Sequence, residues 1–196
     1  MRVPISQRPK TVDSRGQFGH RESDTVIGAA PSRVCIDTQV ERKSRGPFAR
    51  LVPDKSAMAT ARAEYEIHGD LPPRARIDRT RDNGTKASCH TLVDESLGMP
   101  AYFADPYSSW QRGSNENRNG RIRRYLPKKT PFDPLTQDEL DAIVKETDDT
   151  PMKQPEYKTP NEAWDEETSR LQSKTALPVF VCVGFMVVRF VPVWFV

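Results

Sequence analysis

The order of extended and helical segments is the feature that most restricts the fold of this 196-residue chain. Three extended segments come first, in hairpin order, and the turn residues 43–46 join the second of them to the third. Helical and extended segments then alternate along the chain. This order predicts an α/β fold with a mixed five-stranded sheet flanked by helices. The predicted strands cover residues 25–28, 33–41, 47–52, 74–81 and 100–104.

The helices are predicted mainly from the residues at their ends. Asp54 is a candidate N-cap for an alanine-rich helix after the third strand. A second helix is predicted over residues 86–97, and a third carries Glu116. Thr136, followed three residues later by Glu139, is the signature of a capping box at the start of a further helix.

Three acidic residues occupy notable positions on these elements. Asp24 leads into the first strand, Asp82 follows the fourth, and Glu116 lies on the third helix, with 33 residues between Asp82 and Glu116. Carboxylate oxygens suit Mg²⁺, and two ions about 3.5–4 Å apart can stabilise the attacking and leaving oxygens of a phosphodiester reaction. Any one of these acids alone is more often a surface charge, so the prediction depends on the three together.

Positive charge is concentrated around the third acid, although the net charge of the chain is only +3. Residues 112–129 contain seven Lys or Arg and one acidic residue, whereas residues 137–150 contain six acidic residues and one Lys. Such a segment favours contact with a polyanion such as a phosphate backbone. The alternative is a basic helix face that is simply solvated.

Helical periodicity places several of these side chains together. At 3.6 residues per turn, Arg112, Glu116, Asn119 and Arg123 share one face. Glu116 could then reach a metal ion while Arg112 and Arg123 flank a phosphate. In the alternative interpretation, Glu116 only makes intrahelical ion pairs, each worth a few tenths of a kcal/mol.

The remaining reactive side chains give weaker signals. The three cysteines have no paired spacing, which is typical of a protein from a reducing compartment. Cys89 and His90 are adjacent, but no second ligand lies at zinc-site spacing, so no zinc is expected. His20 precedes the first strand and is either close to the site or an ordinary polar residue.

Four short segments around the three acids carry the most specific pattern in the chain. They occur in a fixed order and at moderate spacing. These segments are Gly19-His20-Arg21-Glu22-Ser23-Asp24-Thr25-Val26-Ile27-Gly28, Val40-Glu41-Arg42-Lys43-Ser44-Arg45, Tyr102-Phe103-Ala104-Asp105-Pro106-Tyr107-Ser108-Ser109-Trp110-Gln111-Arg112-Gly113-Ser114-Asn115-Glu116-Asn117 and Arg124-Tyr125-Leu126-Pro127-Lys128.

Together the segments resemble the catalytic domain of bacterial insertion-sequence transposases of the thirty family, a DDE-type group related to retroviral integrases. The resemblance covers roughly residues 4–165. It implies a ribonuclease-H-like integrase core over residues 19–165, with a linker at 1–18 and a tail at 166–196.

The resemblance also implies a function, namely cleavage of DNA and strand transfer at transposon ends. Asp24, Asp82 and Glu116 would be the catalytic residues and the ligands of two Mg²⁺ ions, for which Mn²⁺ can substitute. The implied partners are transposon-end and target DNA and further copies of the chain, on the nucleoid in a bacterial cytoplasm. Expected contacts to the DNA backbone come from Arg112, Asn115, Asn119, Arg123 and Arg124.

Some positions depart from the family pattern. The family usually has Trp and Gly where this chain has Arg21 and Ser23, and losing a large aromatic would forfeit about 1.5–3 kcal/mol of burial. Before Asp82 the family has an apolar strand, whereas Arg79 and Arg81 stand here, and unpaired buried charges would be costly. The alternative function is therefore a catalytically inactive relic that still binds DNA.

The two ends also depart from the family. Relatives carry an N-terminal helix-turn-helix region, whereas this sequence is expected to begin at the linker. Residues 176–196 are apolar but are interrupted by Pro178, Gly184, Arg189 and Pro192, and the uncharged run is shorter than the roughly 18 residues of a membrane span. We interpret this segment as appended non-native coding that is prone to aggregate. The less favoured alternative is a tail that anchors the chain in a membrane.

Overall fold

A computed structural model describes residues 1–84, 88–153 and 155–175, together with the backbone of two short strands near the C-terminus. Six strands form the main sheet in the order β1-β6-β5-β2-β3-β4. These strands are β1 (Val3–Pro4), β2 (His20–Ile27), β3 (Cys35–Glu41), β4 (Pro47–Val52), β5 (Asp78–Arg81) and β6 (Ala101–Phe103).

Five α-helices are present in the described ranges, and none of them is long and apolar enough to cross a membrane. Two further strands, β7 (Cys182–Val183) and β8 (Met186–Val187), pair with each other. The rest of the apolar segment 176–196 lies outside the described residues. The helices are α1 (Ala57–His68), α2 (His90–Leu97), α3 (Gly113–Tyr125), α4 (Gln137–Asp148) and α5 (Pro160–Thr175).

The sheet is mixed, as predicted. Strands β2, β3 and β4 pair antiparallel, while β5 is parallel to β2, and β6 to β5. The prediction of five strands was one short, because β1 pairs with β6 over only two residues and contains Pro4. Proline is tolerated on such an edge strand because its missing N–H faces no neighbour. Part of the predicted linker 1–18 is thus joined to the sheet, and its Val12 is fully buried.

Some element boundaries differ from the predicted ones for local reasons. Strand β2 begins at His20 rather than residue 25, since its first residues are polar and give no apolar pattern. Strand β5 begins at Asp78 rather than residue 74, because Pro73–Ala75 forms a 3-10 turn. The predicted start of α2 falls on residues 85–87, which lie outside the described ranges; the helix itself begins at His90.

The predicted cap of α1 was wrong by two residues. Ser56 is the N-cap, and its hydroxyl accepts a hydrogen bond from the Ala59 amide at 3.2 Å. Asp54 instead accepts from the Ser56 amide at 2.7 Å, so it supports the cap without being the cap. The capping box of α4 is confirmed, with Thr136 and Glu139 each accepting a backbone hydrogen bond from the other.

One face of the sheet carries an apolar core that fixes α3 and α4. Val26, Ile36 and Ala49 of the three antiparallel strands pack against Ile122 of α3 and Leu140 of α4. All five side chains are buried. This packing holds α3 across β2 and β3, close to Asp24.

The opposite face buries charge, and the charges are paired. The Glu64 side chain of α1 is fully buried, and its carboxylate forms ion pairs with Arg79, at 3.4 Å, and with Arg81. Asp94 of α2 pairs with Arg79 at 2.9 Å. Arg79 and Arg81 were expected to be buried without partners, which was wrong. The sequence could not reveal this, because Glu64 and Asp94 come from helices whose packing is not encoded locally.

Arg21, at a position where the resemblance predicts Trp, has aromatic neighbours. Its guanidinium lies 4.8 Å from the ring centre of Phe48 and 5.2 Å from that of Trp164, and it donates to the Ala75 carbonyl at 3.2 Å. Cation–π contacts in a desolvated site contribute about 2 kcal/mol. The expected loss of aromatic burial is therefore offset by Trp164, which α5 brings to the same place.

We predict that Glu64→Gln lowers the free energy of unfolding by about 3–5 kcal/mol, the usual cost of breaking a buried ion pair. Urea denaturation measures this loss. Glu66→Gln is the matched control, because Glu66 lies on the same helix and pairs with Arg62 in solvent. Equal effects of the two substitutions would contradict the assigned role of Glu64.

A second prediction concerns Asp37, which is 1% exposed. Burial, with Glu64 adding to it, raises the pKa of this carboxyl from 3.8 to about 8. The folded chain keeps the proton where the unfolded chain has released it, so stability falls as pH rises from about 4 to about 8. Asp37→Asn should raise the melting temperature by several degrees at pH 9 and change it little at pH 4. A uniform shift at all pH values would contradict this assignment.

Candidate active site

Asp24 and Asp82 come from neighbouring parallel strands. The last paired residues of β2 and β5 are Glu22 and Thr80, and each acid lies two residues further along its chain. Because side chains alternate across a sheet, both acids belong to the face that carries Thr80 and Glu22, which is the face covered by α3. The sequence placed Asp24 just before its strand, whereas Asp24 lies within β2, and it did not predict that β2 and β5 are neighbours.

Both carboxylate oxygens of Asp24 are in contact with α3. Arg112 Nη1 lies 3.1 Å from Asp24 Oδ1, and Asn119 Nδ2 donates to Asp24 Oδ2 at 3.2 Å. The amide of Thr25 also donates to Oδ1, at 2.8 Å. The Asp24 side chain is 28% exposed, so the carboxylate is still open to solvent.

Arg112 contacts Asp24 and also borders a cavity of about 270 Å³ that Asp82 lines. Asn83 and Tyr107 line the same cavity, and the Asn83 side chain donates to the Ala104 carbonyl, which anchors the segment after β5. The cavity therefore offers a ligand the carboxylate of Asp82, the guanidinium of Arg112 and the exposed ring of Tyr107.

Glu116 lies in the first turn of α3 and is exposed. A negative charge there is favoured by the helix dipole. Arg112 and Asn119, both in contact with Asp24, stand four residues before Glu116 and three after it, so the three share one helix face. Within the described ranges, no three Asp, Glu, His or Cys side chains are close enough to hold one ion. The assignment of the three acids as joint ligands remains a prediction.

Asn115 does not fit its predicted role as a contact to DNA, because it is fully buried. Its side-chain amide donates to the carbonyls of Glu22, at 2.9 Å, and Thr38, at 3.0 Å, and its oxygen accepts from the Thr38 hydroxyl. Its backbone amide donates to the Glu22 carboxylate at 2.9 Å. Asn115 is thus the link between α3 and the sheet.

The predicted basic contacts fall into two groups. Arg123 donates to the Ile27 carbonyl at 2.7 Å and to the carbonyls of Leu126 and Pro127, so it holds the end of β2 against α3. Arg124 is exposed on the last turn of α3. Of the two, Arg124 is the better placed for a phosphate backbone.

Glu22 is a residue of the site that sequence reasoning did not single out. It is 1% exposed, pairs with Arg42 at 2.9 Å, and accepts the Asn115 amide. Its position two residues before Asp24 on the same face was the available signal. His20, left open between two roles, is buried and lies 2.9 Å from Asp78, which makes it part of the sheet interior.

Comparison with curated proteins gives a consistent set of relatives, although no family model matches the chain. The transposase InsI for insertion sequence element IS30C of Escherichia coli K12 is 38% identical over 160 residues, which are 82% of this chain and 41% of that protein. The transposase of IS1086 from Cupriavidus metallidurans is 35% identical over 158 residues, 81% of this chain and 46% of that protein. The chain thus spans less than half the length of these relatives.

Solved structures show the same fold at low sequence identity. The catalytic core domain of BIV integrase matches with a TM-score of 0.57 and 18% identity, over 78% of this chain and 98% of that one. A chain in the cryo-EM structure of the simian T-cell lymphotropic virus intasome in complex with the PP2A regulatory subunit B56 gamma matches with a TM-score of 0.60 and 15% identity, over 75% of this chain and 54% of that one. The predicted ribonuclease-H-like integrase core is therefore confirmed.

We predict that Asn115→Ala lowers the free energy of unfolding by about 1–3 kcal/mol, because it leaves buried carbonyls without a donor. Chemical denaturation measures this change, with Asn117→Ala, an exposed position on the same helix, as the control. If Asn115→Ala kept full stability and lost only DNA binding, the result would contradict this structural role and support Asn115 as a contact to DNA.

Proposed function

Because this chain belongs to the IS30 family of transposases, we propose that it is a DNA transposase catalytic domain that cleaves DNA and transfers strands at transposon ends. The observation that carries the proposal is the pair of acids Asp24 and Asp82 on adjacent strands of an integrase-type sheet, with Arg112 in contact with Asp24 and lining a cavity with Asp82. Glu116 on the overlying helix is proposed as the third catalytic acid.

The chemistry of the three proposed ligands, which are all carboxylates, suits divalent ions. The Asp24 side chain is partly exposed, so an ion can reach it. Carboxylate oxygens are the ligands that Mg²⁺ and Mn²⁺ prefer. Asp24, Asp82 and Glu116 would hold the ions, which when bound activate the attacking oxygen and stabilise the leaving one. An ion at Asp24 would take the place of one contact from α3, either Arg112 or Asn119.

The residues of the chain itself then position the reacting strand. Arg112 is the cation nearest the acids and becomes available to a phosphate oxygen when it leaves Asp24. Asn119 keeps the Asp24 carboxylate oriented toward α3. Arg124, exposed near the end of the same helix, is a candidate for a backbone contact further along the DNA.

The proposal extends to partners and place of action. Transposon-end and target DNA are the proposed ligands, and the active form is proposed to be a homo-oligomer on the nucleoid of a bacterial cell. Support comes from the relatives, which are transposases, and from a structural neighbour that is part of an intasome.

A second candidate function is a DNA-binding relic without catalysis. Two observations favour it: Asp24 is already neutralised by Arg112, and no three acids in the described part of the chain form an ion site. It predicts salt-sensitive binding to DNA with no metal-dependent cleavage.

Nicking of supercoiled plasmid with Mg²⁺ or Mn²⁺ separates the two candidates. We expect the native chain to nick and Asp82→Asn to be slower by at least the roughly 10–100-fold that follows loss of a metal-site partner. Asp70→Asn, an exposed acid just after α1, should nick normally. Nicking that survives Asp82→Asn would overturn the catalytic assignment, and absence of nicking by the native chain would support the relic.

A further inference from the structure

A second cavity, of about 350 Å³, lies beside the N-terminus of α3 and is lined by cations. Arg15 from the segment before β2, Arg45 from the hairpin between β3 and β4, Arg118 from α3 and Lys153 after α4 all border it. Among the described residues, its lining contains no Asp or Glu. Side chains from four separate parts of the chain therefore bring like charges to one place.

This concentration of charge persists at neutral pH. Burial, with Arg15 nearby, lowers the pKa of Arg45 to about 10, and burial lowers the pKa of Arg118 to about 10. Both values stay well above 7, so both guanidinium groups remain charged. Arg45 is repelled by Arg15 and Arg42, and an anion in the cavity would offset that repulsion.

The cavity also presents hydrogen-bond donors. Arg45 donates to the Ser114 hydroxyl in the first turn of α3, a 13-residue helix whose N-terminus attracts anions. Arg118 is 1% exposed, yet its Nε has no hydrogen-bond partner among the described residues. Its other nitrogens reach Thr147 and Asp148, so the side chain is fixed with one donor left unmet.

The position of the cavity separates it from the candidate active site. Asn119 is the residue of α3 that contacts Asp24. At about 100° per residue, Ser114 is rotated about 140° around α3 from Asn119, and Arg118 about 100°. The cavity therefore lies on a different flank of α3 from Asp24, and a phosphate there would differ from the one at the acids.

We propose that the cavity lined by Arg15, Arg45, Arg118 and Lys153 binds a backbone phosphate of a DNA strand, across α3 from the candidate active site. This inference rests on the proposed function, since DNA is the ligand in both. A phosphate diester suits the site because it is a compact anion with oxygens for guanidinium and helix N–H donors. The site would hold the DNA in position and would read no bases.

The test uses Arg15→Ala combined with Lys153→Ala, since neither side chain is as deeply buried as Arg45 or Arg118. Duplex DNA binding is titrated in EDTA over a range of salt concentrations. One lost phosphate contact should lower the slope of log affinity against log salt by about 0.9. The control combines Arg33→Ala with Lys55→Ala, which removes the same charge from exposed positions before α1.

Each outcome decides the proposal. A smaller slope for the Arg15 and Lys153 variant than for the control supports it. Equal slopes for the two variants overturn the proposal. A melting temperature of the native chain that rises with inorganic phosphate would not rescue it, because a site that binds only a small anion does not bind DNA. Since EDTA removes catalysis, loss of nicking alone leaves this inference intact. Failure of the native chain to bind DNA would overturn both this inference and the proposed function.

Discussion

The attachment of α3 to the sheet through Asn115 is the interaction on which the candidate site depends. One buried amide contacts the backbones of β2 and β3, and the helix N–H at the same position contacts Glu22. This fixes the rotation of α3, and the rotation decides that Arg112 and Asn119 meet Asp24. An apolar contact could hold the helix equally tightly but would not set its angle, because dispersion contacts have little directionality.

On the face of the sheet opposite α3, buried ion pairs take the place of apolar packing. Glu64 faces Arg79 and Arg81, Asp94 completes the set at Arg79, and Arg21 lies between aromatic rings. Replacing Glu64 or Arg79 alone would leave its partner as an unpaired buried charge, so these two positions are coupled.

The sequence predicted the parts of the fold that depend on local signals. The capping box at Thr136, the hairpin at 43–46 and the α/β order were read from neighbouring residues, and four recognisable segments supplied the integrase-type core. The pairing of Arg79 and the burial of Asn115 were missed, because both depend on residues distant in sequence. Asn115 stands next to Glu116 in the sequence, and the sequence alone does not tell whether its side chain faces solvent or the interior.

The contact between Arg112 and Asp24 affects how the chain folds. Clustered carboxylates repel one another when no cation is near, and many metalloproteins therefore reach their native state only with the ion present. Here an internal guanidinium supplies the neutralising charge from the start. The charge of Asp24 is thus balanced within the chain itself, so this part of the fold needs no bound cation to form.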